Sequence, residues 1–177
     1  MSDNFRAQRP TRAEYEEYYH TYIGKVPDGD IIEILKQQQG ESLKLFESIP
    51  EEKETFRYAP GKWSTKEVIG HIIDTEWVFA YRALRFARGD TTPLVGMDQD
   101  TFMDGARFNS RPMRSIVDEY RHLRSADLAL FESFGEDILE RTGSASGFDF
   151  TVRAILYLVA GHERHHIGVL KERYLGV

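Results

Sequence analysis

Two histidines in the C-terminal part of the chain have the spacing of a helical metal site. His162 and His166 belong to the segment GHERHH at residues 161–166, inside a helical pattern predicted from about Thr151 to Tyr174. Residues four apart on a helix lie one turn apart on the same face. The two imidazoles should therefore point the same way, as two ligands of one ion must. His165 is three residues from His162 and is predicted to face the flank.

The same segment matches HExxH, the helix signature of zinc proteases, in which the glutamate is the general base. Glu163 is therefore a candidate catalytic base. With 3.6 residues per turn it lies about 100° around the helix from His162, so a surface or dimer-contact role is the alternative. A protease is disfavoured, because residues 167–177 contain neither the third histidine of a metzincin nor room for a gluzincin's glutamate helix.

A third histidine, His71, lies in a predicted helix at about residues 64–88. Ser64 and Glu67 form a capping box at its start, and His71 shares its face with Asp74, Thr75, Val78 and Arg82. Buried polar groups need partners, so a polar face on this largely apolar helix is unusual. Asp74 is a candidate catalytic residue that would orient His71 or a reacting water, because metal-binding histidines usually have a second partner.

Four long helical patterns predict an all-α fold, at about residues 31–49, 64–88, 113–134 and 151–174. Tyrosines at three- and four-residue spacings between Tyr15 and Tyr22 predict a short extra N-terminal helix, after a loose arm at residues 1–10. The solvated face of the third long helix is expected to include Arg114, Arg121 and Arg124. No alternating strand pattern occurs, and residues 143–147 are predicted to be a loop. Long helices with a long second connection at residues 89–111 favour a four-helix bundle.

The composition of the chain excludes several kinds of site and partner. The chain has 177 residues, a formal net charge of −6 and no cysteine. Thiolate metal ligands, disulfides and a protein-borne thiol nucleophile are therefore excluded. The charge is unlike the basic footprint of nucleic-acid-binding domains, and no apolar run of about 18 residues predicts a membrane span. We expect an N-terminal arm and short helix at residues 1–27, a bundle domain at residues 28–177, and a cytoplasmic location.

Side chains on facing helices of a bundle can converge in its core, where such folds build metal sites. His71, His162 and His166 are therefore predicted to hold a divalent metal ion, with one coordination position left open for water or substrate. Zinc or nickel is expected, although imidazole ligands also accept cobalt or iron.

The sequence resembles the DinB-like superfamily, and within it the YfiT-like group of metal-dependent hydrolases. The resemblance covers about residues 30–175 and rests on GKWSxxEVxxHxxDxE at residues 61–76, on Arg82, and on GHExHHxxxLxxRY at residues 161–174. It implies an up-down-down-up four-helix bundle, a divalent metal at His71, His162 and His166, and a homodimer.

The resemblance also implies a metal-dependent hydrolase that acts on a small molecule. One alternative is an S-transferase or isomerase that uses a low-molecular-weight thiol, which must come from a cosubstrate because the chain has no cysteine. A metal ion can activate either water or a thiol. A further alternative is a metal-stabilised binding protein without turnover.

Overall fold

Four long helices form the body of the protein in the computed structural model, which describes residues 4–176. The helices and strands are α1 (His20–Ile23), α2 (Ile31–Glu47), α3 (Thr65–Ala87), α4 (Gln99–Ala106), α5 (Met113–Glu132), α6 (Glu136–Leu139), β1 (Thr142–Ala145), β2 (Phe148–Thr151) and α7 (Val152–Val169). A π-helical turn, Leu170–Leu175, continues α7. Helices α2, α3, α5 and α7 make the bundle and lie within three residues of their predicted bounds, once the π-helical turn is counted with α7.

Side chains of the expected kind cap three of the four bundle helices. Asp30 accepts hydrogen bonds from two backbone amides at the start of α2, and Thr151 accepts one at the start of α7. Ser64 and Glu67 form the predicted capping box at the start of α3. These caps satisfy amides that have no partner within the helix.

Two contacts between α3 and α5 show that these helices run parallel. Ser64 at the start of α3 donates to the Oδ1 atom of Asn109, just before α5, at 2.6 Å. Near the middle of both helices, Glu76 of α3 pairs with Arg124 of α5. Because α5 is parallel to α3, the chain must return from the end of α3 to the end of the bundle at which α3 begins. This return requires the long connection between Ala87 and Met113.

The other contacts complete the topology. The hydroxyl of Tyr174, beyond the end of α7, donates to the carbonyl oxygen of Trp63, before the start of α3, so α3 and α7 are antiparallel. Gln38 of α2 donates to Ala160 of α7, and Ser42 donates to Glu163, so α2 and α7 are parallel. The helices therefore run up, down, down and up, which confirms the predicted bundle topology.

Helix α7 is the most buried helix of the bundle. Every residue from Val152 to Glu163 is buried. A helix segment that is covered on all sides lies in the centre of a fold, so His162, which belongs to this segment, is held by closely packed surroundings.

The N-terminal segment packs on the bundle, so the expectation of a loose arm is wrong for residues 4–10; residues 1–3 lie outside the described part. Arg6 donates to the carbonyl oxygen of Glu132 at 2.7 Å, and Pro10 is buried. The predicted short helix is a series of 3-10 turns that ends in α1. The division of the chain at residue 27 and the homodimer stay predictions.

Strands β1 and β2 form an antiparallel hairpin where a loop was predicted. Ser146 and Gly147 connect them with φ angles of 56° and 83°, which is the two-residue turn that matches the twist of paired strands. Strands of four residues are too short to show an alternating pattern, but the Ser-Gly pair was a detectable turn signal. A parallel bridge joins Leu94 of the long connection to Ala145.

No helix within residues 4–176 is long and apolar enough to cross a membrane.

Candidate metal centre

Three histidines from two antiparallel helices meet in the bundle. His71 lies on α3, and His162 and His166 lie on α7. The Nε2 atoms of His71 and His162 are 3.1 Å apart, and one nitrogen from each of the three rings lies within 4.8 Å of the others. His71 and His162 are buried, with exposed fractions of 3% and 6%, and His166 is partly buried. The structure thus brings together the three histidines that the sequence singled out.

The spacing of these nitrogens fits one metal ion. A tetrahedral ion with metal–nitrogen bonds of about 2.0–2.1 Å separates two of its ligand nitrogens by about 3.3 Å. The 3.1 Å between His71 and His162 is close to that value. The group contains only imidazoles, and imidazole ligands suit zinc, copper, iron and nickel.

The three imidazoles are neutral near neutral pH. Burial, together with the neighbouring imidazoles, lowers the pKa of His71 to about 4 and that of His166 to about 3. The same causes hold the pKa of His162 well below its ordinary value. Metal ions bind the neutral form of imidazole, so no proton has to be displaced before an ion binds.

Aromatic side chains surround the three histidines. The Trp63 ring lies 4.7 Å from the ring of His71, and the Phe79 ring lies 6.0 Å from that of His162. Tyr22 of α1 contacts the rings of both His162 and His165, with centroids 5.4 Å apart in each case. These rings shield the nitrogens from solvent on several sides, which strengthens electrostatic interactions within the site.

Thr75 and His165 lie at the edge of the histidine group. The Oγ1 atom of Thr75 is 3.5 Å from the Nδ1 atom of His71, which leaves Nε2 of His71 directed toward His162. His165 packs its ring against Tyr22 and lies outside the set of three nitrogens. This position agrees with the flank expected from its spacing.

Two cavities reach the histidines. A cavity of about 200 Å³ is bounded by His71 and His162, and no carboxylate is among the residues described for its lining. Its remaining walls are Tyr18, Tyr19, Tyr22, Thr75, Val78, Phe79, Arg82, Met97, Gln99 and Ser146. A second cavity, of about 290 Å³, is bounded by His166, Trp63 and Asp100. Small molecules can therefore approach the site from two directions.

Glu163 is not near the three imidazole nitrogens, although its neighbour His162 supplies one of them. Its carboxylate is buried, with an exposed fraction of 1%, and accepts hydrogen bonds from Arg124 at 2.5 Å, Tyr120 at 2.7 Å and Ser42. The expectation of a surface or dimer-contact residue is therefore wrong. These contacts direct the carboxylate toward Ser42 of α2 and toward Tyr120 and Arg124 of α5. A carboxylate that is already bound by these donors is not favoured as the predicted base.

The structure does not pair Asp74 with His71 either. Asp74 is partly buried and lines a groove of about 630 Å³ that also includes Trp77 and Phe102. Burial, with a contribution from Glu119, raises the pKa of Asp74 to about 6. Its predicted catalytic role stays a prediction.

Sequence reasoning missed a buried ionic cluster beside the site. Arg124 was expected in the solvated face of α5, yet it is fully buried and pairs with Glu76 and Glu163 at 2.5 Å each. Its spacing from Tyr120 and Leu128, four residues on either side, places Arg124 on the apolar stripe of α5. That position was a signal that the side chain faces the core.

Comparisons with known proteins identify solved structures that have the same fold. A search of curated proteins finds no significant match. Among solved structures, the chain is similar to YfiT from Bacillus subtilis, described as a probable metal-dependent hydrolase with an unusual four-helix bundle topology. The TM-score is 0.74 at 16% identity, over 96% of this chain and 95% of that one.

Two further structures share the fold. A mycothiol-dependent maleylpyruvate isomerase aligns with a TM-score of 0.66 at 9% identity, over 86% of this chain and 62% of that one. A DinB-like protein from Bacillus subtilis aligns with a TM-score of 0.59 at 20% identity, over 83% and 91% of the two chains. At these identities the likeness concerns the fold alone.

The family assignment rests on the sequence itself. The family model of the DinB superfamily matches residues 34–170, which include α3, α5, α7, all but the first three residues of α2, and His71, His162 and His166. Since this match spans most of the chain and the bundle has the predicted topology, the protein belongs to the DinB superfamily.

Proposed function

We propose that this protein binds a divalent metal ion through His71, His162 and His166 and is a metal-dependent enzyme that acts on a small molecule. The observation that supports it most directly is the convergence of three neutral imidazoles, two of them buried and one partly buried, within 4.8 Å and beside a cavity. Structural zinc sites have four protein ligands, whereas catalytic sites have three and an open position. A set of three next to a cavity favours catalysis over a purely stabilising ion.

The side chains around the histidines would position and shield a substrate. A divalent ion in this site supplies Lewis acidity, which activates water or a thiol. Burial raises the pKa of Tyr19 and of Tyr22, so both hydroxyls stay protonated and can donate hydrogen bonds in the smaller cavity. Trp63 and Phe79 keep bulk water from the imidazoles.

Hydrolysis is one reaction for this site, and a thiol-dependent transfer or isomerisation is the second candidate. The second is favoured by the cavity beside His71 and His162, whose described lining includes no carboxylate that would act as a base toward water, whereas Asp100 lines the other cavity, at His166. A metal ion held by the three histidines would lower the pKa of a coordinated thiol, which could then release its proton to solvent without such a base. The chain has no cysteine, so the thiol would be a cosubstrate.

Metal content of purified variants tests the ligand set. His71→Ala, His162→Ala and His166→Ala should each lose stoichiometric zinc or nickel, because two imidazoles hold an ion incompletely. Added metal at a hundred times its Kd should stabilise the wild type by about 2.7 kcal/mol and these variants much less. His71→Ala is the decisive variant, since only packing of the bundle brings this residue to the other two.

His165→Ala is the matched control, because it removes an imidazole from the same helix but from outside the group of three. Its metal content should equal that of the wild type. Full metal in His71→Ala together with loss in His165→Ala would place the site on α7 alone and refute the proposal. Product formation that is equal with and without added thiol would select hydrolysis over thiol transfer.

A further inference from the structure

Arg82 is a buried cation beside the histidines. It lies on α3, eleven residues after His71, and has an exposed fraction of 4%. Its side chain lines the smaller cavity together with His71 and His162, and its guanidinium carbon lies 5.9 Å from the centre of the Phe79 ring. The charge is therefore held at the same cavity as the candidate metal ligands.

All hydrogen-bonding neighbours of this guanidinium are neutral. Its Nη2 atom donates to Ser146 Oγ at 3.0 Å and to the carbonyl oxygen of Val95 at 3.3 Å, and Tyr19 contributes a hydroxyl. Within residues 4–176, no carboxylate oxygen lies within ion-pair distance of it. A guanidinium has five N–H donors and stays charged in proteins, so Arg82 retains donors and a full charge without a counter-ion.

The other buried arginines show what is missing at Arg82. Arg124 pairs with two buried glutamates, and Arg153 lies 3.5 Å from Glu14. Burying a charge without an opposite charge is unfavourable, because the charge loses its hydration. An anion that enters the cavity would remove that cost at Arg82, whereas the other two arginines already have their partners.

We propose that Arg82 binds the carboxylate group of a small-molecule substrate or cosubstrate in the cavity beside His71 and His162. This inference rests on the proposed function, because it places the carboxylate next to the metal ligands. Carboxylate suits a single guanidinium, which matches its charge and its two oxygens. A phosphate group carries nearly two charges and three acceptor oxygens, and the described lining offers no second cationic side chain.

The competing explanation is that Arg82 only ties the long connection, at Val95, to the hairpin, at Ser146. Two variants separate these roles. Arg82→Gln removes the charge and keeps amide donors for the neutral acceptors, whereas Arg82→Lys keeps the charge. If Arg82 only links the two segments, Arg82→Gln should preserve the structure and binding. If Arg82 binds an anion, Arg82→Lys should preserve more of the affinity than Arg82→Gln does.

Binding of matched carboxylates and amides tests the proposal. Hexanoate, benzoate, their amides and inorganic phosphate are titrated into the full chain in metal-free and zinc-loaded forms, and backbone amide NMR shifts follow binding. Carboxylates should bind the metal-free wild type, and amides should not. Arg82→Gln should weaken carboxylate binding by about 10- to 100-fold, the worth of a charged hydrogen bond, while Arg82→Lys should lose less.

Arg88→Gln is the control, because it removes an exposed arginine from the end of the same helix and should leave affinity unchanged. Equal binding by wild type and Arg82→Gln, equal binding of carboxylates and amides, or no carboxylate binding at millimolar concentration would each overturn the proposal. Arg82-dependent binding of phosphate in preference to carboxylate would overturn the choice of ligand. Carboxylate binding that requires zinc and persists in Arg82→Gln would assign the contact to the metal alone, whereas failure of the metal site would leave the metal-free result standing.

Discussion

His162 and Glu163 are neighbours on α7, but their side chains lie in different surroundings. His162 contributes a neutral imidazole to the candidate metal centre, whereas the carboxylate of Glu163 is enclosed with Arg124 and Tyr120. We infer that Glu163 fixes the rotation of α7 about its own axis, and so directs His162 and His166 toward α3. A residue that matches a catalytic signature can in this way have a positioning role instead.

Loss of Arg124 should destabilise the protein strongly. Arg124→Met leaves the buried carboxylates of Glu76 and Glu163 without their cation, and removing one partner of a buried ion pair costs about 3–5 kcal/mol. Urea unfolding at neutral pH measures the change in the free energy of unfolding.

Arg121→Met is the matched comparison, because Arg121 lies one turn earlier on α5 and pairs with Glu47 and Asp118 at a partly exposed position. Exposed pairs contribute about 0–1 kcal/mol, so this variant should unfold nearly as the wild type does. Equal losses in the two variants would show that the buried cluster does not stabilise the fold as described.

At the scale of elements, the contact between α1 and α7 depends on one glycine. A Cβ atom at Gly161 would lie 2.3 Å from the carbonyl oxygen of Tyr22, a backbone atom that cannot move alone. Tyr22 also contacts the ring of His162. Close approach of backbones at Gly161 therefore brings the N-terminal segment against the candidate site.

Gly161→Ala should displace α1 and destabilise the protein by about 1–3 kcal/mol, the usual cost of overpacking. Thermal unfolding measures the cost, and NMR shifts of Tyr22 and His162 report the displacement. Gly168→Ala on the same helix meets open space, so better helix propensity should stabilise it by up to about 1 kcal/mol. If Gly161→Ala is as stable as the wild type with unshifted resonances, α1 does not pack as the structure shows.

The helices were predictable from sequence because their signals are local. The capping box of Ser64 and Glu67 and the apolar body of α7 define helix ends and faces within a few residues. The N-terminal packing was not predictable, because Arg6 and Gly161 make contacts with residues far away in the chain. The hairpin was missed because its strands are short, and only the Ser-Gly turn marked it.

At the scale of the whole molecule, the histidine group combines a local and a distant signal. The four-residue spacing of His162 and His166 was visible in the sequence, but the approach of His71 required the bundle and its antiparallel α3 and α7. The contacts of Glu163 could not be predicted, because the direction of a side chain around its own helix does not identify the residues of other helices that it meets. Arg124, on another helix, decided its surroundings.

Asp127 should make the protein less stable as the pH rises from about 7 to 8, where unfolded histidines are already mostly neutral. Below that range, the lowered pKa values of the three histidines act in the opposite direction. Burial and the nearby Glu76 raise the pKa of Asp127 from 3.8 to about 8, and its Oδ2 atom has no hydrogen-bond partner among the residues described. The folded state therefore holds a proton that the unfolded state releases between these two values. This group should lower the free energy of unfolding by at most about 1.4 kcal/mol per pH unit as the pH rises through that interval.

Urea unfolding of Asp127→Asn between about pH 7 and 8, above the ordinary pKa of histidine, should show a flatter pH dependence than the wild type. Asp118→Asn removes a partly exposed carboxylate of the same helix and should keep the wild-type slope. Identical slopes in wild type and Asp127→Asn would show that Asp127 is ionised in the folded protein throughout.

The separation of the histidines in the chain has a consequence for how the protein matures. His71 and His162 are 91 positions apart, so at synthesis rates of about 5–20 residues per second the ribosome adds His162 roughly 5–20 s after His71. Until α7 has been made, the nascent chain offers an ion one imidazole of the group, and all three meet only when α7 docks on α3. The complete set of three imidazoles therefore exists only after α7 has docked, near the end of synthesis and folding.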